Sequence, residues 1–114
     1  MIFSIADHIP QIKARTKTQT RRIRGTEWYP RYQTGKYYRI QPGRGKKSIE
    51  DGEIQIKRSW IEYRGDTISE ENALAEGGYT PEKYEALFIK MYPHWGARWA
   101  YEFVYVPYHV ESDK

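Results

Sequence analysis

The hydrophobic and polar positions along the chain predict four strands and three helices. The strands are predicted for residues 18–24, 36–41, 53–63 and 98–106. The last segment is apolar on nearly both faces, with Trp99 and Tyr101 on one side and Ala100 on the other. Such a strand is typical of the centre of a sheet that is covered on both sides.

The clearest helix is predicted for residues 81–92. Thr80 is a good N-cap and Pro81 suits the first helical position. One apolar stripe at i, i+3, i+4 and i+7 spacing consists of Tyr84, Leu87, Phe88 and Met91. A shorter helix is predicted for residues 70–75, capped by Ser69 and ended by glycines, and a helical turn or two for residues 8–13.

The order of these elements is mostly strands, with two helices between the third and fourth. This order predicts an α+β fold that is mostly β, in the form of a small closed or partly closed barrel with short helices at its rim. The length of 114 residues fits one domain. The polar tail over residues 108–114 is expected to be flexible.

Composition excludes several classes of site. The chain has no cysteine, and no pair of its three histidines has metal-ligand spacing, so we expect neither a metal nor another cofactor. No run approaches the roughly 18 apolar residues needed to span a bilayer, and residues 1–7 do not resemble a signal peptide. These features predict a cytoplasmic protein without a membrane partner.

Charge is unevenly distributed along the chain. Residues 1–47 hold twelve Lys/Arg against two acids, a net +10, whereas residues 48–114 hold seven against thirteen, a net −6. This asymmetry indicates an anionic partner for one face, or two halves that neutralise each other in the fold. Eleven tyrosines and four tryptophans offer faces for stacking bases, or simply fill a core.

A basic segment over residues 13–24 contains six cations and several threonines. In a strand, Thr20 and Arg22 share one face and Arg21 lies on the other. Cations with hydroxyls bind phosphate, and a lysine beside a threonine hydroxyl is an acid/base pair if burial or neighbouring cations lower the lysine pKa. Lys17 and Thr20 are therefore candidates for such a pair, with a solvated basic strand as the alternative.

Two further features are candidates for chemistry. The glycine-containing loop over residues 41–48 carries Arg44 and Lys46, which suits a docked phosphate as well as a plain basic turn. Glu76 ends a short helix, where the helix dipole disfavours a carboxylate. Such a misfit indicates either a functional group or an ordinary exposed glutamate.

Several separated motifs together resemble the ASCH-domain family. The motifs, which span roughly residues 3–106, are Lys17-Thr-Gln-Thr-Arg-Arg, Gly35-Lys-Tyr-Tyr, Ile40-Gln-Pro-Gly-Arg-Gly-Lys, Glu76-Gly-Gly-Tyr-Thr-Pro-Glu, Tyr92-Pro and Ala100-Tyr-Glu-Phe. The resemblance implies a PUA-like β-barrel with a cleft lined by the first motif. The loop over residues 41–47 and the turn after Glu76 are longer here than in the short deacetylases of the family.

The resemblance also implies a function in RNA metabolism. Small bacterial members are amidohydrolases that deacetylate N4-acetylcytidine, and their catalytic set corresponds to Lys17, Thr20 and Glu76. The residues expected to bind the modified nucleoside or RNA are Arg21, Arg22, Arg44, Lys46 and Tyr79. The alternative is an RNA-binding module without amidase activity, or a ribonuclease that uses His8 or His94 as its general acid/base.

Overall fold

The computed structural model describes residues 1–23 and 28–108, which form one antiparallel sheet and three short helices. In chain order the elements are α1 (His8–Lys13), β1 (Gln19–Ile23), β2 (Tyr37–Arg39), β3 (Gly52–Tyr63), α2 (Glu70–Gly77), α3 (Pro81–Met91) and β4 (Ala97–Pro107). The predicted α+β class and all seven predicted elements are confirmed. The largest difference in length is in β2, which has only three residues.

The ends of the helices follow the local chemistry that the sequence indicates. Ser69 Oγ accepts a hydrogen bond from Asn72 N at 3.1 Å, and Thr80 Oγ1 accepts one from Lys83 N at 3.2 Å. Each cap side chain thus accepts a hydrogen bond from a backbone N–H group that has no partner inside its helix. α2 continues two residues beyond its predicted end, to Gly77, and places Glu76 in its last turn.

The sheet has the order β1-β4-β3-β2, so β4 is central, as predicted. The predicted closed or partly closed barrel is not confirmed, because in the described residues β1 and β2 are the two edges of an open sheet. Closure requires the edge strands to pair with each other. Beyond the end of β2, Gln41 instead forms an isolated parallel bridge with Ile2.

Two apolar clusters pack against this sheet. The first contains Phe3, Ile12, Ile40, Ile54, Ile56, Tyr101, Phe103 and Tyr105. The second lies under α2 and α3 and contains Ile68, Ala73, Tyr84, Phe88 and Trp95. Burial of these side chains supplies most of the driving force for the fold, at about 25 cal/mol per Å² of apolar surface.

A β-bulge in β3 changes which face its side chains occupy. Ile56 pairs with Phe103, but Arg58 pairs with Glu102, so the register shifts between Ile56 and Arg58. Side chains alternate strictly along a regular strand, and one extra residue reverses the alternation. Ile56 therefore faces the first cluster, whereas Glu62, which pairs with Arg98, faces the second.

Two predictions concern residues beyond the described part of the chain. The last residue of the predicted strand 18–24 and residues 109–114 of the predicted flexible tail lie outside the described residues. Tyr108, the first residue of that tail, is held in place, because its N–H donates to Asp51 O at 2.9 Å. None of the helices that the structure describes is long and apolar enough to cross a membrane.

Gly52 tests the packing of the first cluster. A Cβ at this position would overlap the Tyr105 ring, so we expect Gly52→Ala to lower the free energy of unfolding by about 1–3 kcal/mol. The matched control is Gly96→Ala, because a Cβ there meets no atom within 4 Å. Urea unfolding should show a change within about 1 kcal/mol for the control. Equal midpoints for the two variants would contradict the packing described here.

Candidate active site

A cavity of about 110 Å³ lies at the β1 edge of the sheet, between the two clusters. Its polar wall contains His8, Lys17, Thr20, Arg21, Arg22 and Glu76. Its apolar wall contains Phe3, Tyr84, Leu87 and Met91, among others. Sites that enclose a drug-sized ligand usually have about 300 Å³ or more, so this cavity suits a small group or one end of a larger ligand.

Lys17 is 1% exposed and its ammonium group is surrounded by oxygen atoms. Nζ donates to Gln19 O at 2.7 Å, to Glu76 O at 2.6 Å and to Glu76 Oε1 at 3.2 Å. Burial lowers the pKa of Lys17, and the charges of Arg22 and Arg21 lower it further, against the opposing effect of Glu76. Burial is the main cause because a charged amine loses its hydration there.

Glu76 is buried, so the interpretation as an ordinary exposed glutamate is wrong. Thr18 N donates to Ala75 O at 2.8 Å, and this backbone bond brings the end of α2 against the start of β1. Glu76 Oε1 accepts from Lys17, and Oε2 accepts from Arg21 Nη1 at 2.8 Å. Both carboxylate oxygens therefore have a cationic partner.

A chain of buried ion pairs extends from Glu76 across the sheet. Arg21 Nε and Nη2 donate to Glu62 at 2.8 and 3.0 Å, and Arg98 Nε donates to the same carboxylate at 2.8 Å. Arg98 also binds Glu85 through two hydrogen bonds, at 2.7 and 3.1 Å. We call the set Lys17, Glu76, Arg21, Glu62, Arg98 and Glu85 the buried ion network. Glu62 and Glu85 are its half-buried members, with 12% and 27% of their side chains exposed.

Glu62 is the centre of the buried ion network. Burial alone raises the pKa of Glu62, but hydrogen bonds from Arg21, Trp60 and Arg98, together with the charge of Arg21, outweigh it and lower the pKa to about 2. The guanidinium of Arg98 is in turn enclosed by aromatic rings of the second cluster, with Trp95 at 4.5 Å and Phe88 at 4.7 Å. This environment combines ion pairing with cation–π contacts.

Thr20 and Arg22 form a second, smaller group in the cavity wall. Arg22 Nε donates to Thr20 Oγ1 at 3.2 Å, and Arg22 Nη2 donates to Ile2 O at 2.7 Å. The Phe3 ring lies 4.9 Å from the guanidinium carbon. Thr20 Oγ1 acts as an acceptor in this contact, so its own proton is available to another group.

His8 lines the cavity and hydrogen-bonds to Tyr79, with 3.0 Å between Nε2 and Oη. Burial, together with the charges of Lys17 and Arg22, lowers the pKa of His8 to about 4. The imidazole is therefore neutral at pH 7. His94, the other histidine named for a ribonuclease, is exposed and does not line the cavity.

The structure brings together some of the predicted site residues and separates others. Lys17, Thr20, Glu76, Arg21 and Arg22 all line the cavity. Arg44 and Lys46 are exposed on their loop, and Tyr79 lies behind His8; none of these three residues lines the cavity.

The sequence interpretation did not identify Glu62 and Arg98 as part of the site. Arg98 has a visible signal in the sequence, because it lies near the start of a mostly apolar strand. The structure buries it completely. No sequence signal identifies Glu62, because the face of the sheet on which its side chain lies depends on the bulge in β3. No group of three or more His, Cys, Asp or Glu side chains suited to a metal occurs in the described ranges.

Glu62→Gln tests the buried ion network. Removing this charge leaves Arg21 and Arg98 without their shared partner. We therefore expect the free energy of unfolding at pH 7 to fall by about 3–5 kcal/mol. A carboxylate whose pKa is lowered from 4.5 to about 2 contributes stability that is complete above pH 4.5 and is lost as pH falls through 2. The free energies of unfolding of the wild type and the variant should therefore become similar in acid.

The matched control for Glu62→Gln is Glu102→Gln. Glu102 pairs with Arg58 at 3.0 Å, but these side chains are 34% and 63% exposed, so the expected loss is below about 1 kcal/mol. Urea unfolding between pH 2 and 7 measures both variants. A similar small loss for both carboxylates would show that burial adds nothing to the Glu62 interactions.

No protein-family model matches the chain, and comparison with curated proteins and with solved structures finds no match. The resemblance to the ASCH-domain family therefore stays a prediction from motifs. The contacts of the described residues support a type of reaction, whereas a substrate class can be taken only from that resemblance.

Proposed function

We propose that this protein is an amidohydrolase that removes the acyl group from N4-acetylcytidine-type nucleosides. The observation that carries the proposal is the grouping of a buried lysine, a threonine hydroxyl and a buried carboxylate around one cavity: Lys17, Thr20 and Glu76. Amide hydrolysis needs a nucleophile, a base and support for the developing oxyanion. The cavity wall offers a candidate for each.

Thr20 is the proposed nucleophile. Its hydroxyl proton is donated to no group in the described part of the chain, while its oxygen accepts from Arg22 Nε. Removal of that proton leaves negative charge on an oxygen that already lies beside a guanidinium. Arg22 therefore stabilises both the activated nucleophile and, on a bound substrate, the adjacent oxyanion.

Lys17 is the proposed base. At rest Lys17 is an ammonium that donates to three oxygens, and burial lowers its pKa. After it loses one proton to water, the neutral amine can take the Thr20 proton as Oγ1 bonds to the acyl carbon. The tetrahedral intermediate then collapses, the C–N bond breaks, and Lys17 returns the proton to the cytosine amine. Water hydrolyses the resulting threonine ester, which releases the carboxylic acid and restores Thr20.

Glu76 acts in this scheme as a positioning residue. Its two oxygens are engaged by Lys17 and Arg21, and a carboxylate held by two cations is a weak base for activating water. It holds the Lys17 side chain at the cavity wall and, with Arg21, links that wall to the rest of the buried ion network. This arrangement favours the lysine–threonine mechanism over direct activation of water by Glu76.

The size of the cavity limits which part of the substrate enters. A volume of about 110 Å³ accommodates the acylated edge of the base, with Phe3 and Leu87 as its apolar walls. The sugar then remains outside the cavity. Specificity would therefore depend more on the acyl group and the base than on the ribose.

Thr20 variants test this function most cleanly, because Thr20 is outside the buried ion network. Thr20→Val removes the hydroxyl at similar size and should lower release of cytidine from N4-acetylcytidine by roughly 10³-fold or more. Thr20→Ser keeps the hydroxyl and should retain activity. The absorbance change on deacetylation measures turnover, and circular dichroism checks the fold.

Absence of turnover by the wild type at high enzyme concentration would reject the proposal, as would full activity in Thr20→Val. Lys17→Ala and Glu76→Ala should also abolish activity. These two changes break buried ion pairs, so their activity must be compared with their unfolding midpoints.

RNA binding is a second candidate function, supported by the loop over residues 41–47. Arg44, Lys46 and Lys47 are exposed there, and the nearby strand β2 carries the exposed Tyr37. Cations with an accessible aromatic ring suit a nucleic-acid strand, since phosphates and bases are both contacted. This surface is separate from the cavity.

Reversal of the loop charges tests RNA binding. Changing Arg44, Lys46 and Lys47 to glutamate should weaken binding to single-stranded RNA and flatten its salt dependence, because three phosphate contacts are lost. The control reverses three exposed cations elsewhere, Lys57, Lys83 and Lys90, for the same change in net charge. Equal effects in the two triple variants would indicate a response to net charge alone.

A further inference from the structure

Arg22 differs from the other cations of the cavity wall in its partners. Lys17 and Arg21 each bind a carboxylate, whereas no carboxylate lies within 4.0 Å of the Arg22 guanidinium in residues 1–23 and 28–108. Its acceptors are two neutral oxygens, the Thr20 hydroxyl and the Ile2 carbonyl. Hydrogen bonds to neutral groups do not neutralise the charge, and Glu76 acts on it only from beyond ion-pair distance.

The charges around the cavity leave the same surplus. The buried ion network contains three cations and three carboxylates, so it is balanced by itself. Arg22 adds one positive charge beside it. His8 does not change this balance at pH 7, because its pKa of about 4 keeps it neutral. The described groups therefore leave a surplus of positive charge at the cavity.

The positions of Arg22 and Thr20 indicate where an anion would bind in the cavity. Arg22 and Thr20 both line the cavity, and the Thr20 proton has no acceptor in the described structure. The Phe3 ring lies against the Arg22 guanidinium, at 4.9 Å, which directs a further acceptor to its N–H edge. A guanidinium edge beside a hydroxyl donor is a binding arrangement for a small oxyanion.

We propose that the cavity binds a small oxyanion group, a carboxylate or a phosphate ester, on the Arg22 guanidinium and the Thr20 hydroxyl. Burial lowers the pKa of Arg22, because the guanidinium loses hydration, and the charge of Glu76 opposes this effect only in part. The carboxylate could be the acid released by the proposed deacylation, which would then inhibit the enzyme competitively. The phosphate could belong to a nucleotide.

Binding of two simple probes tests this inference without any need for turnover. Sodium acetate and inorganic phosphate are titrated at constant ionic strength, with chloride as the balancing ion, while the unfolding temperature is followed. At least one probe should raise the unfolding temperature, and the increase should saturate with probe concentration. Tighter binding of acetate identifies the carboxylate source, and tighter binding of phosphate identifies the nucleotide source.

Variants show whether Arg22 is the residue responsible. Arg22→Gln should weaken binding of the preferred probe by about tenfold or more, whereas Lys57→Gln, which removes an exposed charge of the same sign outside the cavity and the 41–47 loop, should leave it unchanged. If Arg22→Gln does not fold, the wild-type Arg22 Nε–H signal, followed by nuclear magnetic resonance, should shift saturably with the probe.

Two outcomes would overturn the inference: no effect of either probe beyond the chloride control, or wild-type affinity in a folded Arg22→Gln variant. Failure of the proposed function looks different. Saturable binding without turnover of N4-acetylcytidine would reject the deacylase and leave the oxyanion site standing. Turnover of N4-acetylcytidine without binding of either probe would support the deacylase and reject the oxyanion site.

Discussion

The arrangement of this protein depends on burying charged side chains in balanced pairs. Six groups, three cationic and three anionic, alternate from Lys17 through Glu62 to Glu85, and they join β1, β3, β4 and the two helices α2 and α3. Each charge would be costly to bury alone, whereas in this sequence of contacts each meets an opposite charge. The network fixes the end of α2 against β1, and this contact forms the wall of the cavity.

The same electrostatics gives the cavity its chemical character. A lysine that is buried beside arginines is easier to deprotonate than one in water. Next to it, Arg22 forms no direct ion pair with a described carboxylate. A base, a hydroxyl and an unbalanced cation are thus close to one small space, which is why acyl transfer and oxyanion binding are the chemistries that it suits best.

One irregularity in β3 connects the apolar core with the buried ion network. The register shift after Ile56 turns Glu62 toward Arg21 and Arg98, while Ile54 and Ile56 stay in the first cluster. Without that shift, strict alternation would place the carboxylate and the two isoleucines on the same face. The bulge therefore lets a single strand supply both an apolar core and the central anion of the buried ion network.

The sequence by itself determined the local elements, because caps and periodicity act over a few residues. Ser69, Thr80 and the apolar stripe of α3 were enough to predict the helices, and the apolar last strand was correctly predicted to be central. The basic segment also identified Lys17 and Thr20 as candidates. Only the tertiary structure decided that the sheet stays open, that Glu76 is buried against Lys17, and that Glu62 and Arg98 complete the ion pairs. These contacts join residues 36 to 59 positions apart in the chain, and their direction depends on strand register, which local patterns do not specify.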